Sequence, residues 1–201
     1  MLRLYDYLSS GNSYKPRLLF NLLGQPFDLV ELDIMKGETR TPEYLAKNAN
    51  GRIPLLELED GTFLPESNAI LHYLAEGTRF LPGDRLGRAQ VLQWMFFEQY
   101  SHEPNIAVVR FWIEHHCLTP EREAMLPEKQ EGGHAALGVM ENHLVDRDWF
   151  VGETASIADI ALYAYTHVAP EGGFELTDYP AIRAWLDRVF ALPGYIPITQ
   201  L

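Results

Sequence analysis

Gly51-Arg52-Ile53-Pro54-Leu55-Leu56 and, a little further on, Leu64-Pro65-Glu66-Ser67-Asn68-Ala69-Ile70 decide the fold. An apolar residue followed by proline and a β-rich run reads as a strand that the proline opens. Proline lacks the N–H that a ladder interior needs, so it belongs at a strand start or an edge. Glu59-Asp60-Gly61-Thr62 supplies an Asp-Gly hairpin signal, and Thr62-Phe63-Leu64 pairs back. Pro65-Glu66-Ser67 then opens a helix with Ile70, Leu71 and Leu74 on its apolar face. This arrangement sets backbone polar groups beside the positive end of a helix, a site for an anionic, peptide-like ligand.

Working outward towards the N-terminus, residues 2–8 alternate as a strand and Ser9-Ser10-Gly11-Asn12-Ser13 is a loop by composition. Tyr14 to Leu23 reads as a helix with Pro16 in its first turn and Gly24 just past its end. Phe27 to Asp33 is a second strand, so the opening is βαβ with a parallel pair. The stretch 36–50 is polar and irregular, with a short helix over Pro42 to Lys47.

Towards the C-terminus the pattern changes. Residues 78–87, rich in Gly, Pro and charge, read as a linker between a first domain (1–77) and a second (88–201). From Arg88 the periodicity is helical throughout: Arg88 to His116 with a bend near Pro104, Pro127 to Val145, Ser156 to Val168, and Tyr179 to Ala191. Gly132-Gly133 marks a weak stretch in the second of these. Ser156-Ile157-Ala158-Asp159 is a capping box with Asp in place of the commoner Glu or Gln, and its role is structural.

The net charge of −12 lowers the expectation of duplex nucleic acid or an anionic membrane as main partner. No apolar run reaches the ~20 residues that span a bilayer, and Met1-Leu2-Arg3-Leu4-Tyr5 enters a strand without a signal-peptide pattern. Cys117 is the only cysteine, which forbids an intrachain disulfide and fits a cytoplasmic location. His115 and His116 point about 100° apart on a helix with no third ligand spaced to join them, so no metal site is expected.

Asn48 through Leu56, followed by Leu64 through Leu74, resembles the glutathione-binding half of the cytosolic glutathione transferases. Gly152 through Asp159 and the closing Tyr179-Pro180-Ala181-Ile182 stretch extend the resemblance over nearly the whole chain. The resemblance implies a thioredoxin-like N-terminal domain (βαβ-α-ββα) and an all-helical C-terminal bundle, an α/β plus all-α architecture. It also implies a cis peptide bond before Pro54, glutathione as co-substrate, no metal, and a homodimer. By matching position, Ile53 and Pro54 receive the cysteinyl part of glutathione, and Glu66 and Ser67 its γ-glutamyl end.

Glutathione acts through its thiolate, and a hydroxyl or amide hydrogen bond lowers the thiol's pKa. The family places that donor between the first strand and first helix. Ser10-Gly11-Asn12-Ser13-Tyr14-Lys15 is similar to the bacterial nu class and to the serine-using theta and zeta classes. Ser10 is expected as hydroxyl donor and Asn12 as amide donor, with Ser13 and Ser9 behind them. Ser13 is also read as a helix cap. Tyr5 and Tyr7 lie near the position used by the tyrosine classes; Tyr7 is expected to line the electrophile pocket.

Arg52 and Thr39 match positions that bind the glycyl carboxylate in theta-like members, with Lys36 and Arg40 as alternatives. The long helix from Arg88 is expected to supply His102 and Arg110 to the electrophile site. The implied activity is conjugation of glutathione to a small apolar electrophile. A glutathione-dependent peroxidase or disulfide reductase on the same site is one alternative. A non-catalytic binding or interaction module is another, because fold alone does not fix function.

Overall fold

A computed structural model describes residues 1–200 and divides them into two compact units, one formed by 1–78 with 192–200 and the other by 79–191. In the first, β1 (Arg3–Asp6), β2 (Asp28–Glu31), β3 (Leu55–Glu57) and β4 (Phe63–Pro65) form one sheet in the order β2-β1-β3-β4. β1 and β2 run parallel, and the other pairs are antiparallel. Tyr5 and Leu55, with Tyr44 from α2 (Pro42–Leu45), build a core on one side of the sheet. Strand alternation leaves fully buried Leu4 and Leu56 to the other side. This is the thioredoxin-like arrangement expected.

The helix α1 spans Gly11–Leu23, three residues longer at its start than periodicity gave. Ser10 is its N-cap: the Ser10 hydroxyl accepts the Ser13 N–H at 3.3 Å, and Gly24 closes the helix in the left-handed conformation. The loop residues Asn12 and Ser13 are therefore helical. α3 spans Ser67–Ala75 and packs against α1. Beyond Ala191 the chain rejoins the first unit, where Tyr14 Oη donates to Ile196 O at 2.6 Å and Arg17 Nη2 to Ile198 O at 2.7 Å. Arg17 also pairs with Asp6, and both side chains are wholly buried.

The second unit is all helical. α4 (Arg85–Phe97) and α5 (Glu103–Glu114) are joined through a π-helical segment, Glu98–His102. Pro104 has no N–H to give Tyr100 and would crowd its carbonyl, and the wider π turn just ahead of it absorbs the mismatch. Phe80 and Leu81, in the stretch read as a linker, are buried, and the Ile157 N–H bonds to Phe80 O at 2.9 Å.

Two readings of α6 are corrected. The helix runs Pro120–Leu144, so it starts seven residues before Pro127. Thr119 caps it and Pro120 occupies the first turn, a stronger start than the later proline. Gly132 and Gly133 are continuous helix and not a frayed point. A Cβ on Gly133 would lie 2.3 Å from the Phe174 ring, and one on Gly132 2.8 Å from the Asn105 amide, so the glycines permit close approach.

α7 (Ile157–Thr166) carries the expected capping box, and α8 (Pro180–Phe190) ends the unit. Asp159 takes hydrogen bonds from Ser156 N, Ser156 Oγ, Phe150 N and Trp185 Nε1. Burial nevertheless pushes its carboxyl above the usual range.

Candidate functional site

The register of the sheet gathers the site. Leu55 pairs with Tyr5 on one side and Pro65 on the other. Pro54 and Glu66, just outside these pairs, and Tyr7, just past the end of β1, thus fall at one end of the sheet. Ile53–Pro54 is a cis peptide bond, as expected. The bend before it is pinned at one atom: Tyr44 Oη donates to Arg52 O at 2.7 Å and Asn48 Nδ2 donates to the same oxygen at 2.9 Å. Burial pushes the Tyr44 phenol up to about 12, which keeps it a donor. Gly51 reaches this bend with φ +61°, where a Cβ would stand 2.9 Å from Thr39 O.

Glu66 precedes α3 with φ 74°, unusual for a non-glycine residue, and its side chain is exposed. Ser67 follows as the first residue of α3 and is buried. Its hydroxyl donates to Asn12 Oδ1 at 3.2 Å, which joins the first turns of α1 and α3. Lys15 completes this group: Nζ lies 2.8 Å from Asn12 Oδ1 and 3.4 Å from Ser67 Oγ, and the side chain is fully buried. Two helix N-termini, half-buried Asn12 and the backbone at Ile53 thus border one end of the sheet. Such a place suits an extended anionic chain that also needs main-chain pairing.

The other expected residues have the following surroundings. Ser13 is not the N-cap, which is Ser10: it is wholly buried and its Oγ accepts the Tyr7 N–H at 3.4 Å. Thr39 is buried under the Gly51 turn. Arg52 is exposed, Arg40 Nη1 donates to Asn50 O at 3.0 Å, and Lys36 pairs with Asp33 at 2.9 Å. Tyr5 is taken up on the Tyr44 side, donating to Glu57 Oε2 at 2.7 Å and accepting from Lys47 Nζ at 2.6 Å. Tyr7 is half-buried at the end of β1.

His102 and Arg110, expected at the electrophile site, are both buried in the helical unit. His102 is fully buried with Nε2 2.9 Å from Thr166 Oγ1. Since Thr166 gives its own proton to Leu162 O at 2.7 Å, Nε2 is the donor. Arg110 bonds Glu171 at 2.6 Å and Glu114 at 3.0 Å. Among the described residues no group of three or more His, Cys, Asp or Glu is placed to hold a metal ion, and no helix is long and apolar enough to cross a membrane.

Lys15 is the residue the sequence reading passed over. Its signal was present: once Ser10 is taken as the cap, Asn12 and Lys15 stand three apart on one helix face.

Residues 4–79 match the family model for the glutathione S-transferase N-terminal domain, and residues 95–193 match that for the C-terminal domain. The chain is 36% identical over 177 residues to glutathione S-transferase F10 of Arabidopsis thaliana, covering 83% of this chain and 81% of that one. A crystal structure of a glutathione S-transferase from Pseudomonas fluorescens superposes with a TM-score of 0.96 at 53% identity, covering 99% of each chain. The glutathione transferase URE2P6 from Phanerochaete chrysosporium, in complex with oxidized glutathione, superposes at 0.85 and 26% identity, covering 96% and 92%.

Proposed function

The chain belongs to the glutathione S-transferase family, and from that premise we propose that it binds glutathione at the sheet end bordered by Asn12, Ile53 and Ser67 and transfers it to small apolar electrophiles. The Ile53 main chain beside cis-Pro54 pairs with the cysteinyl residue. The main-chain N–H of Ser67, at the positive start of α3, takes the γ-glutamyl carboxylate, and the exposed Glu66 takes the ammonium. Arg52, exposed on the other flank, takes the glycyl carboxylate.

The thiol then lies before the first turn of α1. Ser10 Oγ accepts the Ser13 N–H and has a proton of its own to give, and Asn12 Nδ2 is the second donor. Both donors favour the thiolate over the thiol, as does the positive end of the helix. The thiolate attacks the electrophilic carbon, a carbon–sulfur bond forms, and the leaving group departs with its electron pair. Tyr7, at the end of β1, borders the electrophile.

The observation that carries this reading is the Ser67–Asn12 hydrogen bond of 3.2 Å, which ties the two helix starts into one polar rim. Calorimetry with millimolar glutathione tests it, together with turnover of an activated aryl halide. Binding heat and a thioether product are expected, with Ser67→Ala weakening binding about tenfold or more. No heat and no competition by S-alkyl glutathione overturns the reading and leaves a non-catalytic module.

A second reading is reduction of a hydroperoxide or disulfide on the same site. The site's neutral donors, and the lack of a cysteine among the described residues of the first unit, support glutathione as the sole thiol. Activity with hydroxyethyl disulfide or hydroperoxide and none with aryl halide selects it. The family premise also supports a homodimer, and exposed Leu92, Phe96 and Tyr100 along α4 and its π extension are an apolar stripe for a second copy. Light scattering at twice the monomer mass is the expected result.

A further inference from the structure

We propose that Lys15 is a positioning residue for thiol activation: it holds the Asn12 amide with its oxygen inward, so that the Nδ2 end is the donor presented to the sulfur. The inference rests on the glutathione reading above and adds a residue to it. Lysine has three donors and no acceptor, so the Asn12 atom 2.8 Å from Nζ has to be the oxygen. The Ser67 hydroxyl lies 3.2 Å from that oxygen and 3.4 Å from Nζ. It has one proton, which goes to Asn12 while its lone pair takes Lys15. The two lone pairs of Oδ1 are thus both used.

A half-turn of the amide would set its N–H groups against the Lys15 ammonium, which can only donate, in a place where that fully buried side chain meets no water. Only the observed orientation survives. Lys15 is held in place by its own helix, one turn beyond Asn12, and its stem is enclosed. One helix therefore carries both the donor and the group that orients it. Ser67 extends the same restraint to the start of α3, so the γ-glutamyl end and the sulfur end of the ligand meet through a single oxygen atom.

The test titrates the thiol of bound glutathione by its thiolate absorbance in wild type, Lys15→Met, Asn12→Ala, the double variant and Asn12→Asp, with melting curves for each. Lys15→Met is expected to raise the titration midpoint by about one to two pH units, the size of one charge-assisted hydrogen bond. Asn12→Ala should do the same, and the double variant should move no further, because both changes remove one interaction. Asn12→Asp keeps an oxygen for Lys15 and discards the donor, so it should melt no lower than wild type while its midpoint rises.

A folded Lys15→Met with an unmoved midpoint overturns the proposal, and so does a shift that adds to that of Asn12→Ala. If Lys15→Met does not fold, Asn12→Asp decides: a melting point well below wild type means that Lys15 does not face the oxygen. Wild type that fails to bind glutathione ends the binding reading and this inference with it. Wild type that binds, with a midpoint independent of Lys15, ends this inference alone.

Discussion

The Tyr14 hydroxyl donates to the carbonyl oxygen of Ile196 at 2.6 Å, a bond between residues 182 positions apart. Tyr14 lies between Asn12 and Lys15 in the first turns of α1, and Arg17 one turn on takes Ile198 O in the same way. Gly194 fits the same seam, since a Cβ there would stand 2.7 Å from Asn21 O. The C-terminal segment is thus clasped along the helix whose first turn borders the candidate site.

A chain ending at Gly194 should therefore lose stability in the first unit and bind glutathione more weakly. Tyr14→Phe removes a single buried bond and should cost about 1 kcal/mol. Urea denaturation of both variants, followed by calorimetry on the folded fraction, checks this. Full affinity in the truncated chain would show that α1 needs no clasp.

Arg17 has a second partner in Asp6, with both side chains wholly buried. Arg17→Leu leaves the Asp6 carboxylate buried alone and should cost about 3–5 kcal/mol. The paired change Asp6→Leu with Arg17→Leu removes both charges and should recover much of that loss. Denaturant midpoints of the two proteins give the comparison.

Gly51→Ala tests the turn ahead of the cis bond. An L side chain is disfavoured at φ +61°, and the added Cβ meets Thr39 O at 2.9 Å, so a loss of about 1–3 kcal/mol is expected. Because Arg52 O is the atom that Tyr44 and Asn48 hold, glutathione affinity should fall along with the melting temperature.

In the helical unit, Ser156→Ala removes a cap and should cost about 1 kcal/mol. Asp159→Ala strands the N–H groups of Ser156, Phe150 and Trp185 together and should cost about 3 kcal/mol or more. Equal melting temperatures for the two variants would reduce Asp159 to a cap and nothing else.

Acid should weaken the protein through His167. Burial lowers this imidazole from 6.5 to about 4, against its Nδ1 hydrogen bond to Tyr163 O, which raises it. Between those two values the unfolded chain binds the proton that the folded one refuses. The contribution is therefore complete above about pH 6.5 and is lost as pH falls towards 4, by about 3 kcal/mol at most. His167→Phe keeps the ring stacked on Tyr163 and should flatten this part of the pH dependence. Urea midpoints at pH 7, 5.5 and 4.5 decide it.

The sequence by itself determined what is local. The Pro54 strand, the Asp60-Gly61 hairpin, the Glu66-Ser67 helix start and the Ser156–Asp159 box each announce themselves within a few residues, because proline, glycine and capping side chains act on their own neighbourhood. The family likeness followed from the same stretches. What only the tertiary structure decided was which side chains stay at the surface and what they meet across long separations. Asn12 and Ser67 are 55 positions apart, and only packing showed that Ser13, Thr39, His102 and Arg110, which spacing offered as site residues, are buried. The spacing of Lys15 from Asn12 could be read, but its burial could not, since a lysine beside apolar residues reads as surface until the helix around it is packed. Burial and cross-chain hydrogen bonding are sums over distant residues, and no short stretch contains them.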